Sequence, residues 1–239
     1  MQSCEKNSLR EVHIFDVCGT LFREDTTVGL LRWHLRRRGQ TIKSLTLEAL
    51  FSRRSPLNLL MRILERVSGR HLAKHLAIGL LAGEPLSELE ASAQEYAGHL
   101  LQSKTVASVF ERLLVAQRAK SQVILASASL EPLIRAVSQR LRVQGIGSQL
   151  GVSSGCLTGK LERDLTGRKV DALAEAFGAD LFSGQAFGYS DNLSDLELLL
   201  KCDHRLVVLH GPRERSRWHL PEAHFVELSW GQDLPENSS

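Results

Sequence analysis

Aromatic residues make up only 5% of this 239-residue chain, there are six prolines and four cysteines, and no apolar run is long enough to cross a bilayer. Each shortage excludes something. Cys4, Cys18, Cys156 and Cys202 are scattered, without the paired spacing of a zinc site or the density of a disulfide scaffold, so reduced thiols are expected. With few aromatics among the basic residues and no recognisable nucleic-acid module, nucleic acid is not an expected partner. Residues 1–10 are polar, lack the apolar core of a signal peptide and lead straight into a strand pattern, so the expected location is the cytoplasm. There is no internal repeat and no linker long enough to join independent domains, while 43% hydrophobic content is enough for one core plus a sizeable insertion.

What the chain does have is a set of short apolar stretches that each end in a polar residue. Residues 12–15, apolar or β-branched apart from His13, read as a buried strand, and Gly19-Thr20 turns the chain soon after. Asp16 then stands at a strand's carboxyl end, the edge at which open α/β sheets bind ligands. A second apolar strand, Gln122-Val123-Ile124-Leu125-Ala126-Ser127-Ala128-Ser129, ends in small hydroxyl residues before a helical pattern over 130–142. Its serines either cap that helix or offer a hydroxyl to a phosphate oxygen beside free backbone N–H groups. Thr166-Gly167-Arg168-Lys169-Val170 opens a further helix, with Val170, Leu173, Ala174 and Phe177 at helical spacing. Lys169 is either a solvated surface residue or a point charge for a phosphate. Gly188-Tyr189-Ser190-Asp191-Asn192-Leu193-Ser194-Asp195 puts two acids four apart across a strand-to-helix turn. Mg²⁺ takes oxygen ligands and usually only one or two carboxylates, which suits Asp191 opposite Asp16. Asp195 either joins them or is a first-turn acid favoured by the helix dipole.

Taken in this order, Asp16-Val17-Cys18-Gly19-Thr20, Ser127, Lys169 and the Asp191/Asp195 pair resemble the ordered motifs of the haloacid dehalogenase superfamily over roughly residues 12–210. Those motifs are DxDxT, a Ser/Thr at the second strand end, a Lys and a GDxxxD-type acidic motif. The phosphoserine-phosphatase-like branch is the most similar, because its cap lies between the first and second motifs. The resemblance implies an α/β fold, a three-layer Rossmann-like parallel sheet with an inserted helical-bundle cap. Residues 1–21 and 121–239 would form the core and 22–120 the cap. It also implies a Mg²⁺-dependent phosphoryl-transfer enzyme, in the first instance a phosphomonoester hydrolase acting on a small anionic phosphorylated substrate.

In that family's terms Asp16 is the nucleophile, and Ser127, Ala128 and Lys169 hold the phosphate. The metal set is Asp16, the backbone carbonyl of Cys18, Asp191 and Asp195, the last through water or from behind. Asp25, nine residues past Asp16, stands where the family often places a polar residue that reads the substrate, or else caps a helix. The departure is Cys18, where hydrolytic members carry the Asp that protonates the leaving group and then activates water. A positioned general acid contributes ~10²–10⁴-fold, and a thiol is a poor substitute, so slow hydrolysis is expected. The competing expectation is a phosphoester-binding module that has lost turnover.

Between the first two motifs the pattern is helical. Val28, Leu31 and Leu35 form one stripe, Leu57, Leu60, Met61 and Leu64 a second, Leu86, Leu89, Ala93, Ala97 and Leu100 a third, and Val106, Val109, Phe110 and Leu113 a fourth. Four helices with buried stripes are predicted. Residues 23–70 hold eleven Lys/Arg against four Asp/Glu. Arg36-Arg37-Arg38 and Arg53-Arg54 therefore face an anionic substrate, an acidic membrane surface, nucleic acid or a solvated helix side, with the substrate preferred. Residues 151–161 read as a β-hairpin suited to a flap near the site, 205–209 as a strand, 212–220 as a basic helix, 224–228 as a last strand and 232–239 as a disordered tail.

Overall fold

Val12 and Ile14 alternate with His13 and Phe15 along β1 (Glu11–Phe15), and all four are buried, the pattern of a strand covered on both faces. The computed structural model describes residues 11–52, 54–68, 72–211 and 214–227, so 1–10 and the expected tail 232–239 lie outside the described residues. β1 pairs in parallel with β2 (Gln122–Leu130) on one side and β5 (Gln185–Ser190) on the other, setting Phe15 opposite Leu125 and Tyr189. With β3 (Gln144–Ser153), β4 (Cys156–Arg163), β6 (His204–Leu209) and β7 (Ala223–Glu227) the sheet runs β4-β3-β2-β1-β5-β6-β7. Only the β3–β4 pairing is antiparallel.

Strand alternation divides the core into two layers of contact. Val12, Ile14, Ile124 and Ala126 meet Leu173 of one helix and Leu198 of another on one face of the sheet. Those helices follow β4 and β5 in the chain. Phe15, Val123 and Leu125 meet Leu133 and Val137 of the helix after β2 on the other face. Each such fully buried aliphatic contributes about 1.5–3 kcal/mol. On this second face Phe15 and Tyr189 stack with centroids 4.0 Å apart and 6° between planes.

Six helices separate β1 from β2 among the described residues: α1 (Thr26–Arg37), α2 (Thr41–Phe51), α3 (Pro56–Ser68), α4 (Leu72–Gly79), α5 (Leu86–Ser103) and α6 (Ala107–Arg118). Three more lie downstream: α7 (Glu131–Leu141), α8 (Lys169–Phe177) and α9 (Leu196–Lys201). The expectation of four inserted helices misses α2 and α4. The second stripe also needs correction, because Leu57 and Met61 turn inward whereas Leu60 and Leu64 are 50% and 41% exposed. One hydrophobic cluster runs without a break from Phe15 and Val17 through Leu30, Leu89 and Leu100 to Leu125 and Leu133, so the insertion shares its core with the sheet.

Two further expectations are corrected. The segment read as a basic helix over 212–220 holds only a short 3₁₀ turn, Arg215–Arg217, among its described residues. The β3–β4 hairpin is not a flap. Leu157 N donates to Glu84 O at 2.8 Å, Gly83 N to Leu157 O at 2.9 Å and Leu86 N to Gly155 O at 3.0 Å, so the hairpin at the sheet edge pins the α4–α5 connection. Among the described residues no helix is long and apolar enough to cross a membrane.

Candidate active site

The carboxyl ends of β1, β2 and β5 and the start of α8 converge on one buried cluster. Asp16 follows β1, Ser127 lies near the end of β2, Lys169 opens α8, and Asp191 and Asp195 follow β5. Lys169 Nζ donates to Asp16 Oδ1 at 2.5 Å and to Asp195 Oδ2 at 2.6 Å, with all three residues at most 4% exposed. Ser190 Oγ donates to the same Asp195 oxygen at 2.6 Å. Asp195 therefore holds the lysine and the serine rather than facing Asp191, while its Oδ1 is buried without a protein partner. Burial pushes the Asp16 carboxyl up, Lys169 opposes that shift, and Asp195 and Asp191 add to it. Burial pulls on the Lys169 ammonium in the opposite direction, but Asp16 and Asp195 outweigh it and keep the lysine charged.

Thr20 joins the two halves of the cluster. Its hydroxyl lies 3.2 Å from Asp16 Oδ2 and 3.0 Å from Asp191 Oδ1, so one O–H sits between two carboxylates. Gly19 makes this approach possible: at φ +75 it accepts a conformation that side chains resist, and a Cβ there would lie 2.1 Å from Asp191 Oδ2. His210, directly after β6, places Nε2 2.9 Å from that same Asp191 oxygen. Lys169 answers Asp16 and Asp195, while Asp191 has the His210 imidazole beside it and raises that group's pKa. Two of these carboxylates, Asp16 and Asp191, are brought together by one hydroxyl, which is the donor chemistry that suits a hydrated Mg²⁺. Among the described residues no group of three or more His, Cys, Asp or Glu side chains is placed to hold a metal ion.

A cavity of about 340 Å³ opens over the cluster, lined by Asp16, Cys18, Ser127, Ala128, Lys169, Asp191 and Asp195 from the sheet side. From the insertion come Asp25, Thr27, Val28, Phe51, Asn58, Met61 and Lys74. The structure thus brings every sequence-chosen site residue to one cavity. Cys18 Sγ points at Glu24 O, 3.7 Å away, and its desolvation, followed by the charges of Asp25, Asp16 and Asp191, pushes the thiol well above its ordinary value. Asp25 is the N-cap of α1, accepting from Val28 N at 3.0 Å, and also lines the cavity. Ser127 Oγ is linked to Ser129 Oγ at 3.2 Å, and Ser129 lies 2.5 Å from Thr26 Oγ1.

Sequence reasoning missed Thr20, Ser190, Lys74 and His210. Thr20 and Ser190 stand inside the stretches already singled out. His210 carried the same signal as Asp16, a titratable residue just past a buried strand. Lys74 carried none: its Nζ reaches Ala128 O at 3.1 Å and Asp164 Oδ1 at 2.9 Å because α4 packs against β4. The Arg36-Arg37-Arg38 run, expected to meet the substrate, does not line this cavity. Its guanidiniums pair with Glu48, with Glu88 and Glu95, and with Glu84 and Glu88.

A parallel α/β sheet with a carboxylate–lysine cluster at its carboxyl edge defines a broad class of phosphate-handling folds, and sequence comparison narrows it. The family model described as haloacid dehalogenase-like hydrolase matches residues 14–200, and the chain belongs to that family. No curated protein matches the sequence significantly. Among solved structures, a protein of unknown function from Bordetella pertussis Tohama I is 19% identical, covering 92% of this chain and 99% of its own, with a TM-score of 0.74. A phosphoserine phosphatase carrying a phospho-aspartyl intermediate analogue is 16% identical over 91% of this chain and 94% of its own, with a TM-score of 0.55. A phosphoserine phosphohydrolase-like protein from Francisella tularensis subsp. tularensis SCHU S4 is 13% identical over 91% and 95%, with a TM-score of 0.59. At these identities the likeness is one of fold.

Proposed function

We propose that this chain is a Mg²⁺-dependent phosphomonoester hydrolase acting in the cytoplasm through an aspartyl-phosphate on Asp16, with residues 22–120 as its cap. The observation that carries the reading is the buried Lys169 bridge from Asp16 to Asp195, set beside the Thr20 link from Asp16 to Asp191. That arrangement offers a nucleophile, a fixed cation and an acidic site for a second cation around one point of the cavity. A metaphosphate-like transition state needs positioning and charge neutralisation more than covalent help, and this cluster supplies both.

In this reading an Asp16 oxygen bonds to phosphorus as the bond from phosphorus to the leaving oxygen breaks, with Ser127 and Lys169 holding the non-bridging oxygens. Water then attacks the acyl phosphate, releasing phosphate and restoring the carboxylate. A Mg²⁺ ion held by Asp16, Asp191 and the Cys18 carbonyl would neutralise charge on the transferring group. Asp195 keeps Lys169 in place from behind. A protonated thiol at position 18 is a weak acid for the departing alkoxide, so esters with good leaving groups are the favoured substrates. The fold shared with phosphoserine phosphatases supports phosphate-ester chemistry but does not extend to their substrate.

Acid quenching after incubation with a ³²P-labelled aryl or acyl phosphate tests the reading. Label is expected on the protein and located to Asp16, absent from Asp16→Asn, with phosphate release abolished by a chelator. Absence of both label and release across sugar, amino-acid and acyl phosphates would overturn it in favour of a binding module.

A further inference from the structure

Thr26, Ser129 and Ser127 form a chain of three buried hydroxyls that runs from the insertion to the active-site cavity. Thr26 Oγ1 lies 2.5 Å from Ser129 Oγ, and Ser129 Oγ lies 3.2 Å from Ser127 Oγ, with the three residues 0%, 2% and 0% exposed. Thr26 is the first residue of α1, whereas Ser127 and Ser129 stand on β2 and border the cavity. Among the described residues, the only further group hydrogen-bonded to these hydroxyls is the Ser129 N–H, 3.3 Å from Ser127 Oγ.

Proton counting makes this hydroxyl chain incomplete. A hydroxyl gives one proton and receives with two lone pairs. Three protons across two links leave one without a place inside the chain. Ser127 is the donor to Ser129 in the structure, so the surplus proton falls on Ser129 or Thr26. Neither has a further acceptor among the described residues, and a buried donor left unpaired is costly. The opposite direction resolves this. If Thr26 gives to Ser129 and Ser129 to Ser127, the surplus proton is that of Ser127, which borders the cavity. Ser127 Oγ then receives from both the O–H and the N–H of Ser129, and its own proton needs an acceptor from a ligand. An ionised oxygen suits it best, because charge-assisted hydrogen bonds are about twice as strong as neutral ones.

We propose that Thr26 and Ser129 are positioning residues for a phosphate oxygen bound at Ser127. With the anion in place Ser129 turns its proton to Ser127, Thr26 gives its own to Ser129, and Ser127 gives to the oxygen; only hydrogen bonds change partners. Thr26, at the start of α1, thereby ties the insertion to occupancy of the phosphate site. That the anion is a phosphate rests on the phosphatase reading above.

Isothermal titration of the full-length protein with inorganic phosphate tests the hydroxyls link by link. Thr26→Val keeps the shape and removes the hydroxyl, and is expected to weaken phosphate binding about three- to tenfold, the worth of one hydrogen bond. Thr26→Ser keeps the hydroxyl and should bind close to the wild type, a rescue that a packing role for Thr26 would not give. Ser129→Ala should lose at least as much as Thr26→Val, and adding Thr26→Val to it should cost nothing further, since the link is already cut. Ser129→Ala carries the test alone if the thermal transition shows Thr26→Val to be unfolded. Phosphate affinity untouched by Thr26→Val, failure of Thr26→Ser to restore it, or additive losses in the double variant overturns the proposal. So does absence of phosphate binding to the wild type. Turnover of p-nitrophenyl phosphate separates this from the phosphatase reading. Turnover with phosphate affinity independent of Thr26 overturns the positioning role alone. Phosphate binding that depends on Thr26 in a protein without turnover leaves that role standing and overturns the phosphatase reading.

Discussion

At the scale of single residues, Cys18 and Gly19 bear on the site in opposite ways. On the proposed reading Cys18 stands in the general acid's place, and its thiol, pushed up by burial, is aimed at the Glu24 carbonyl. Replacing it with Asp is predicted to raise kcat for an alkyl phosphate by on the order of 10²-fold or more, because a positioned acid is restored. An aryl phosphate, whose leaving group needs little protonation, should respond much less. Equal responses of the two substrates in steady-state assays would refute leaving-group protonation as the limiting step. Gly19 cannot be varied so freely. Gly19→Ala places a methyl where Asp191 Oδ2 stands, 2.1 Å away, and strains a φ of +75. A cost of about 1–3 kcal/mol in urea denaturation is expected, and on the proposed phosphatase reading turnover is lost because Asp191 must move. Asp16, Lys169 and Asp191 were legible in the sequence because each stands at a strand end or helix start in a known order. Lys74 was not, since its place beside Ala128 and Asp164 depends on how α4 packs against β4.

Among the elements, legibility followed periodicity. Helices α1, α5 and α6 have one buried stripe each and were readable. Helix α2 buries only Leu47 and Leu50 while exposing Ile42 and Leu45, so its apolar residues point several ways and the period blurs. Helix α4 has only eight residues, barely two turns. The hairpin was readable as a hairpin but not as a clamp, because its hydrogen bonds to Gly83, Glu84 and Leu86 join segments about seventy residues apart in the chain. Helix α1 offers a test of a residue with two roles. Asp25 caps it through Val28 N and also faces the cavity. Asp25→Ala is predicted to cost about 1 kcal/mol in urea unfolding through loss of the cap. Asp25→Asn keeps the cap and should keep most of that stability. If Asn nevertheless raises KM without lowering kcat, Asp25 reads the substrate; if it leaves KM unchanged, capping is its whole role.

For the whole molecule, the shared cluster from Phe15 through Leu89 to Leu133 couples the insertion to the sheet, and the buried polar groups within it make stability depend on pH. His34 on α1 is fully buried, with Nδ1 2.9 Å from Ser92 Oγ on α5 and Nε2 3.8 Å from Glu84 Oε2. Desolvation lowers its pKa in the fold, and Arg38 and Arg37 add to that, against the opposing pull of Glu84 and Glu88. An imidazole depressed in this way binds its proton more readily in the unfolded chain. Below the unfolded value near 6.5 the unfolded state therefore gains protons that the folded state lacks, and stability falls as pH drops. Once His34 is protonated only in the unfolded chain, the loss approaches about 1.4 kcal/mol per pH unit. Asp16, pushed up by burial, takes a proton in the folded state and acts with the opposite sign, so the raw profile mixes the two. The difference between the wild type and His34→Gln isolates the histidine. That difference in urea-unfolding free energy is expected to be constant between pH 8 and 7 and to shift in favour of the variant as pH falls from 6.5 to 5.5. A difference that stays constant across the whole range would mean that His34 titrates alike in both states, and that the α1–α5 contact tolerates a charge at its centre.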